Sequence, residues 1–204
     1  VYIEDAYTIC GNYENDGPLA DYFDKNYEKD LYFGEKSWEK AETYLLKEAN
    51  RNILEKNKYK DKDIDLLISG DLQNQIAASD YMAREFDIPF LGIYEACATI
   101  GEAMMLSSTF IESKKMKRIL ISTSSHNMVS EKQFRNPTEY GTPKPKTATF
   151  TVTGSLSAII SNKKGSVRIE GATIGKVVDL GIKDANHMGA VIAPAAGDVF
   201  YQDL

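Results

Sequence analysis

Three short apolar runs in the middle of the chain predict buried β-strands. They are "IDLLIS" at 64–69, "FLGIY" at 90–94 and "RILIST" at 118–123. Each run has the length of a strand and is nearly continuous in apolar character, which is typical of parallel strands covered on both faces. The sequence therefore predicts a largely parallel sheet at the centre of the fold.

The segments before and between these runs have helical patterns. Apolar residues recur at mostly helical spacing over 73–86, and the segment 98–114 is apolar nearly all round, which predicts a buried helix. Ser37 is a suitable N-cap for a further helix over 38–56. The inner face of that helix is formed by Ala41, Leu45, Ala49 and Ile53. Because strands and helices alternate, the sheet is expected to have right-handed crossovers.

The pattern changes after residue 125. The segment "EKQFRNPTEYGTPKPK" at 131–146 combines three prolines with charges and predicts a long ordered loop or lid. Alternating stretches at 147–161 and 166–177 predict antiparallel strands added to the parallel set. The final segment, rich in alanine and glycine, stops in what the pattern indicates is a helix.

Composition narrows the class of protein. The 204 residues are 43% hydrophobic, which suits one large domain or an incomplete piece of a bigger one. No apolar run is long enough to span a bilayer and no signal-peptide pattern opens the chain, so a soluble, untargeted chain is expected. Cys10 and Cys97 are too far apart to suggest a disulfide framework or a metal site. The net charge of -6 argues against nucleic-acid binding.

Reactive side chains follow the three predicted strands. Asp71 comes after the first run, Cys97 after the second and His126 after the third. In open α/β sheets, ligand sites collect at the carboxyl ends of parallel strands. A cysteine at the first turn of a helix also lies in the positive end of the helix dipole, which stabilises negative charge on sulfur or receives a ligand carboxylate. The strand ends are therefore the predicted site.

Each of these residues also has a purely structural interpretation. Cys97 can be a small buried core residue, His126 a histidine satisfied by backbone groups, and Asp71 the cap of the following helix. Arg135, in the proline-rich loop, can be a solvated cation or the group that meets a dicarboxylate. These alternatives remain open at the level of the sequence.

Several longer strings carry a resemblance to a known family. "YEACATIGEAM" resembles the nucleophile segment of the thiolase and ketoacyl-synthase superfamily. The strings "NDGPLADYFDK", "SGDLQNQ", "TSSHNMVSEKQFRNPTEYG", "TATFTVTGS", "ATIGKVVDLGIKD" and "MGAVIAPAA" together resemble the stage V sporulation protein AD family of spore-forming bacteria. The resemblance runs from Val1 to the last residue.

The resemblance implies a fold and a division of the chain. The expected fold is α/β and thiolase-like, the N-terminal half of an αβαβα sandwich with a mixed, mainly parallel sheet. Residues 1–175 correspond to that half, and residues 176–204 to the connection into a second half that this chain lacks. The resemblance implies binding of dipicolinic acid, and a part in moving calcium dipicolinate into the developing spore and out again at germination. It also implies action with membrane proteins of the same operon at the spore inner membrane.

Among the residues that the resemblance matches, the ligand contacts are inferred from their position at the strand ends. The ligand-binding candidates are Asp71, Cys97, Ser125, His126, Arg135 and Tyr140, with no metal and no cofactor expected. Condensing enzymes of the superfamily place their catalytic histidines, or histidine and asparagine, in the second half, so Cys97 would lack its base and oxyanion donors here. A non-enzymatic binding protein is the first hypothesis, and an acyl-transferring enzyme with Cys97 as nucleophile is the alternative. An uncovered apolar face predicts self-association, with a homodimer expected.

Overall fold

The computed structural model describes residues 1–134, 151–183 and 187–202. The chain divides into two compact units, Val1–Arg168 and Ile169–Leu204. The first unit contains a seven-stranded sheet in the order β2-β1-β6-β5-β3-β4, with β7 pairing with β1. Its strands are β1 (Tyr2–Cys10), β2 (Lys25–Asn26), β3 (Leu66–Asp71), β4 (Phe90–Gly92), β5 (Arg118–Ser125), β6 (Gly154–Ser161) and β7 (Val167–Arg168).

The sheet is mixed, as predicted. β3 runs parallel to β4 and β5, and β1 runs parallel to β2. β6 lies antiparallel between β1 and β5, and β7 is antiparallel to β1. Parallel and antiparallel pairings are therefore equal in number within the described residues, instead of mainly parallel, because β6 inserts in the reverse direction at the centre of the sheet.

The helices are α1 (Asn12–Asn15), α2 (Trp38–Asn57), α3 (Ala77–Ala83), α4 (Thr99–Glu112), α5 (Asn127–Phe134) and α6 (Met188–Gln202). Helix α2 matches its prediction: the backbone N-H of Lys40 donates to Ser37 Oγ at 3.3 Å, which caps the first turn. The predicted inner face of α2 is fully buried. Helix α4 also lies where the apolar segment 98–114 placed it.

Two predicted boundaries were wrong. The helix predicted over 73–86 begins only at Ala77, because Gln75 and Ile76 adopt left-handed backbone conformations that interrupt it. The segment predicted as a loop from residue 131 is helical up to Phe134, the end of α5. Residues 135–146 of that loop lie outside the described residues.

Of the two alternating stretches, the first contains a long strand as predicted and the second contains only a two-residue strand. The segment 147–161 contains β6, which is antiparallel to two neighbours. Of 166–177, only Val167–Arg168 forms a strand. The apolar pattern did not predict β1, which pairs with β6 along its length.

Helices cover both faces of the sheet. Ser69 Oγ lies 3.1 Å from Ser79 Oγ of α3, whereas a Cβ on the next residue, Gly70, would lie 2.9 Å from Thr99 Cγ2 of α4. Since successive strand residues point to opposite faces, α3 and α4 lie on opposite sides. Helix α2 shares a hydrophobic cluster with α3 and β3 that includes Leu46, Met82 and Leu67, so α2 and α3 form one layer and α4 the other.

The second unit contains α6, in which Pro194 lies inside the helix. Before α6, residues 169–183 form no regular secondary structure. Lys176 Nζ and Asp198 Oδ2 are 3.3 Å apart and form an ion pair within this unit. Across the described ranges of both units, the helices are too short or too polar to cross a membrane.

Candidate functional site

The carboxyl ends of the parallel strands bring most of the predicted residues to one edge of the sheet. In the register of β3 and β5, Asp71 pairs with Ser124. Gly70 allows the segment after β4 to approach this edge, because a Cβ there would collide with the carbonyl oxygen of Ile93. Asp71, Ser125, His126 and the segment that leads to Cys97 therefore lie at neighbouring strand ends.

Cys97 lies in a short 3-10 turn, Ala96–Ala98, directly before α4. The helix was predicted from residue 98 with the cysteine at its first turn, whereas α4 begins at Thr99 and Cys97 lies just before it. The Cys97 side chain is exposed, so the interpretation of Cys97 as a buried core residue was wrong for this chain. Ala96 before it has a φ of 45°, a left-handed conformation that costs energy for a residue with a Cβ.

The start of α4 offers hydrogen-bond donors close to Cys97. No side chain caps the helix at Ala98. The Thr99 hydroxyl group is buried, and it has no hydrogen-bond partner among the residues that the structure describes. The backbone N-H groups of Ala98 and Thr99 donate to the carbonyl oxygens of Glu95 and Ala96, so the features that favour an anion here are the positive end of the helix dipole and the Thr99 hydroxyl group. The exposed turn at Cys97 can therefore receive a negatively charged group.

His126 is held entirely by the protein. Its side chain is 0% exposed, and Nε2 donates to the carbonyl oxygen of Leu31 at 2.8 Å. Nδ1 accepts from the backbone N-H of Met128 at 3.2 Å. Burial lowers the pKa of the imidazole, so the ring is neutral at pH 7. With both ring nitrogens in use, His126 has no free nitrogen to act as a base for Cys97.

Asp71 also points into the protein, and its carboxyl group is 1% exposed. Oδ1 accepts from the backbone N-H of Gln73 at 2.9 Å, and Oδ2 accepts from that of Ser79 at 2.7 Å. Burial raises the pKa of this carboxyl group. Asp71 therefore holds the loop between β3 and α3, which is close to the capping role that the sequence left open.

Of the three remaining predicted residues, the structure describes only Ser125. Ser125 is half-buried at the end of β5, and its hydroxyl group donates to the carbonyl oxygen of Val152 at 2.6 Å. Arg135 and Tyr140 lie outside the described residues. Within the described ranges, no three His, Cys, Asp or Glu side chains are grouped to hold a metal ion.

Sequence reasoning missed Glu42, a buried carboxyl group on α2 directly beneath this edge. It is 0% exposed and accepts from Ser124 Oγ at 3.1 Å and from Gln73 Nε2 at 3.0 Å. Burial, with the nearby Asp71 charge, raises the pKa of Glu42 to about 8. The spacing along α2 could have indicated its burial, because Glu42 lies one turn before Leu46 on the same face of the helix, and Leu46 is a core residue.

A separate cleft of about 550 Å³ lies on the outer side of α2 and α3. Lys40, Tyr44, Tyr81 and Arg84 contribute to its lining. Cys97 and His126 do not line this cleft, so it is distinct from the exposed turn at the strand ends. Gln73 lines this cleft and also donates to Glu42, so Gln73 connects the cleft to the buried carboxyl group beneath the strand ends.

Solved structures of condensing enzymes share this fold. One is a 3-oxoacyl-[acyl-carrier-protein] synthase III from Aquifex aeolicus VF5, 14% identical, which matches 80% of this chain and 54% of its own with a TM-score of 0.52. Another is the tetronic acid condensing enzyme AbyA1, 11% identical, with 89% and 56% coverage and a TM-score of 0.53. The chain is thus an α/β protein of the thiolase-like class, as predicted.

Sequence comparison identifies the family within that class. The family model for stage V sporulation protein AD matches residues 1–204. The chain is 46% identical over 202 residues to stage V sporulation protein AD of Bacillus subtilis (strain 168), which covers 99% of this chain and 60% of that protein. The chain therefore belongs to the stage V sporulation protein AD family. It spans about 60% of the length of this curated relative.

Proposed function

We propose that the protein binds dipicolinic acid without catalysing a reaction, and that it takes part in the uptake of this compound into the developing spore and its release at germination. The observation that carries the proposal is the match of the whole chain to the sporulation family. The exposed turn at Cys97 is the proposed point of contact with one ligand carboxylate.

The geometry of α4 supports an anionic ligand at that turn. The helix start has no side-chain cap, and the Thr99 hydroxyl group is buried without a described partner. A carboxylate at the helix start would accept a hydrogen bond from the Thr99 hydroxyl group and interact favourably with the helix dipole. The net charge of the chain is -6, so local donors of this kind are needed to attract a dianion.

Titration calorimetry tests the proposal. Dipicolinate is titrated into the full-length protein and into this 204-residue chain, with and without calcium, and picolinate serves as the control with one carboxylate fewer. We expect dipicolinate to bind more tightly than picolinate. No heat of binding at millimolar dipicolinate in the full-length protein would overturn the proposal. Binding by the full-length protein alone would place part of the site beyond residue 204.

A pair of threonine variants locates the ligand. Thr99→Val removes the buried hydroxyl group at the start of α4 with little change in shape. Thr109→Val is the matched control, because Thr109 is exposed on the same helix and its hydroxyl group donates to the carbonyl oxygen of Met105, one turn earlier. We expect Thr99→Val alone to weaken dipicolinate binding, by about 5- to 30-fold for one lost hydrogen bond. Equal affinities would remove the start of α4 from the site.

Acyl transfer through Cys97 is the second candidate function. The exposed thiol in front of α4 favours it, since a nucleophile must be reachable. His126 gives it no support, because both ring nitrogens are engaged. Mass spectrometry after incubation of the full-length protein with short acyl-CoA thioesters decides this candidate: an acyl adduct on Cys97 would support it, and an unmodified thiol would reject it.

The setting in which binding occurs is also part of the proposal. We place the protein as a homodimer on the surface of the spore inner membrane, held there by membrane proteins of the same operon. The support for this placement is the family match alone. Cross-linking of intact spores, followed by identification of the captured partners, tests it. Recovery of the protein free of membrane proteins would contradict it.

A further inference from the structure

Glu42 joins three elements that converge beneath the candidate site. Its carboxyl group belongs to α2, and Ser124 Oγ at the end of β5 lies 3.1 Å from Oε1. Gln73 Nε2, in the loop after β3, donates to Oε2 at 3.0 Å. Glu42, Gln73 and Ser124 are each at most 5% exposed. One buried side chain therefore connects α2 to the ends of both strands that carry predicted site residues.

The two partners of Glu42 are directly adjacent to that site in the chain. Ser124 is followed by Ser125 and His126, and Gln73 donates its backbone N-H to Asp71. We propose that Glu42 is a positioning residue: it holds the end of β5 and the loop after β3 in the relative placement that the candidate site requires, and it does so as a neutral carboxylic acid. The inference rests on the proposed function only where it concerns ligand binding.

The surroundings of Glu42 favour the neutral form. The charged groups that face it are Asp71 at the end of β3 and Glu39 one turn earlier on α2. Lys132 of α5 pairs with Glu39 at 2.7 Å and not with Glu42. His126 is neutral, since burial lowers its pKa. Among the described residues, no cation bonds to the Glu42 carboxyl group, and burial raises its pKa to about 8.

The hydrogen-bond partners fix where the proton lies. The Gln73 Nε2 amide can only donate, so Oε2 must accept. Ser124 Oγ donates to Oε1 of the ionised carboxylate; in the neutral acid the proton lies on Oε1 and the direction reverses, because a hydroxyl oxygen can accept as well as donate. When the pH rises above about 8, the carboxyl group ionises beside Asp71. A buried carboxylate without a cation is costly, so the link between the three elements weakens.

Three variants of the full-length protein test the inference. Glu42→Gln reproduces the neutral acid, because its amide can donate to Ser124 while its oxygen accepts from Gln73. Glu42→Ala removes both contacts. Glu55→Gln is the control for the loss of one charge from an exposed position on the same helix. Unfolding in urea is followed from pH 5 to pH 9.

The expected pH dependence follows from a folded-state pKa raised above the ordinary value of 4.5. The contribution of Glu42 to stability is fully present below about pH 4.5 and is lost as the pH rises to about 8. Relative to Glu42→Gln, the wild-type folding constant should fall by up to about tenfold per pH unit in this window. Identical pH profiles for wild type and Glu42→Gln would overturn the assignment of the proton to Glu42.

Hydrogen exchange separates positioning from a general effect on stability. The backbone amides of Gln73 and Ser79 report on the loop after β3. The backbone amide of Asp65, which donates to the carbonyl oxygen of Arg118, reports on the other end of the same strand. In Glu42→Ala we expect protection factors at Gln73 and Ser79 to fall at least about tenfold more than at Asp65, with recovery in Glu42→Gln. Equal losses at all three amides would reject the positioning role.

Ligand binding gives the final comparison. If dipicolinate binds the wild type, we expect Glu42→Ala to bind more weakly and Glu42→Gln to bind as the wild type does at pH 6. Unchanged affinity in Glu42→Ala would show that the site does not depend on this positioning. Because the exchange and unfolding measurements need no ligand, failure of dipicolinate to bind would affect the proposed function and leave this inference to be decided separately.

Discussion

Helices α2 and α4 cover opposite faces of one sheet, and they differ in what they bury. Helix α2 buries large side chains such as Leu45, Leu46 and Ile53 against the strands. The buried residues of α4 are mainly small, namely Thr99, Ala103, Ser107 and Ile111. Larger apolar residues of α4, Met104, Met105, Leu106 and Phe110, remain half-exposed. The α2 side is therefore a completed layer, whereas α4 carries apolar surface in excess of what it buries here.

The same contrast holds at the strand ends. On the α2 side, His126 and Glu42 have their polar atoms hydrogen-bonded within the protein. On the α4 side, Cys97 is exposed and the Thr99 hydroxyl group is buried without a described partner. A closed side provides the rigid support, and an open side provides the contacts for a ligand or another protein segment. We expect a further protein surface to pack on the α4 side.

Two leucine variants give the largest expected difference. Leu46→Ala creates a cavity in the α2 layer and should lower the free energy of unfolding by about 2–5 kcal/mol. Leu106→Ala, on half-exposed α4, should cost about 1 kcal/mol or less in this chain. Urea unfolding measures both. If α4 is covered in the full-length protein, the cost of Leu106→Ala should increase there, and an unchanged cost would contradict that packing.

A pair of glycines tests how α4 is seated on the sheet. Gly70→Ala should destabilise the protein by about 1–3 kcal/mol, because the new Cβ would collide with the carbonyl oxygen of Ile93 and lie close to Thr99. Gly101→Ala meets nothing within 4 Å and should stabilise α4 by about 0.5–1 kcal/mol. Thermal or urea unfolding reports both effects. A neutral Gly70→Ala would mean that the start of α4 is loosely held.

The closed side has a predicted pH dependence of smaller size. Burial places the folded-state pKa of His126 below its ordinary value of 6.5, so its contribution to stability is present above about pH 6.5 and is lost as the pH falls. The wild type should lose at most about 1.4 kcal/mol per pH unit in that region relative to His126→Gln, in which an amide replaces both ring contacts. Matching profiles of the two proteins from pH 7.5 to pH 5 would contradict the buried, neutral ring.

The smallest expected effect belongs to the open side. Cys97→Ser should change stability by less than about 0.5 kcal/mol because the side chain is exposed. Cys10→Ser should cost about 1–3 kcal/mol, because Cys10 is 0% exposed and a hydroxyl group would be buried there. In the wild type, a thiol reagent should modify Cys97 first. Equal labelling rates of the two thiols would show that the folded chain opens easily around Cys10.

Much of the α/β frame could be predicted from the chain. The strands β3 and β5 are continuous apolar runs, and α2 has a capped, one-sided pattern, so the signals were local and strong. β1 was missed because "YIEDAYTIC" mixes charged and apolar residues and contains a bulge near Asp5, so it has neither pattern clearly. The delayed start of α3 was missed because the apolar spacing does not show that the Asp71 carboxyl group accepts from the backbone of Gln73 and Ser79, nor that Gln75 and Ile76 adopt left-handed conformations.

The candidate site could be predicted in position but not in roles. The strand-end rule brought Asp71, Cys97, Ser125 and His126 to one edge, because strand direction follows from the alternation of elements. Whether a side chain faces inward depends on neighbours far apart in sequence, such as Leu31 for His126. Glu42 was missed because a glutamate in an amphipathic helix is expected on the solvent face.

The pairing of β1 with β6 has a consequence for synthesis of the protein. Among the described strands β1 is made before the others, but its main partner at Gly154–Ser161 emerges some 150 residues later. At about 5–20 residues per second, the N-terminal strand waits roughly 8–30 s before it can complete the centre of the sheet. During that time its edge is open to pairing with other chains. We expect an exposed strand of this kind to favour aggregation of the nascent chain until β6 is made.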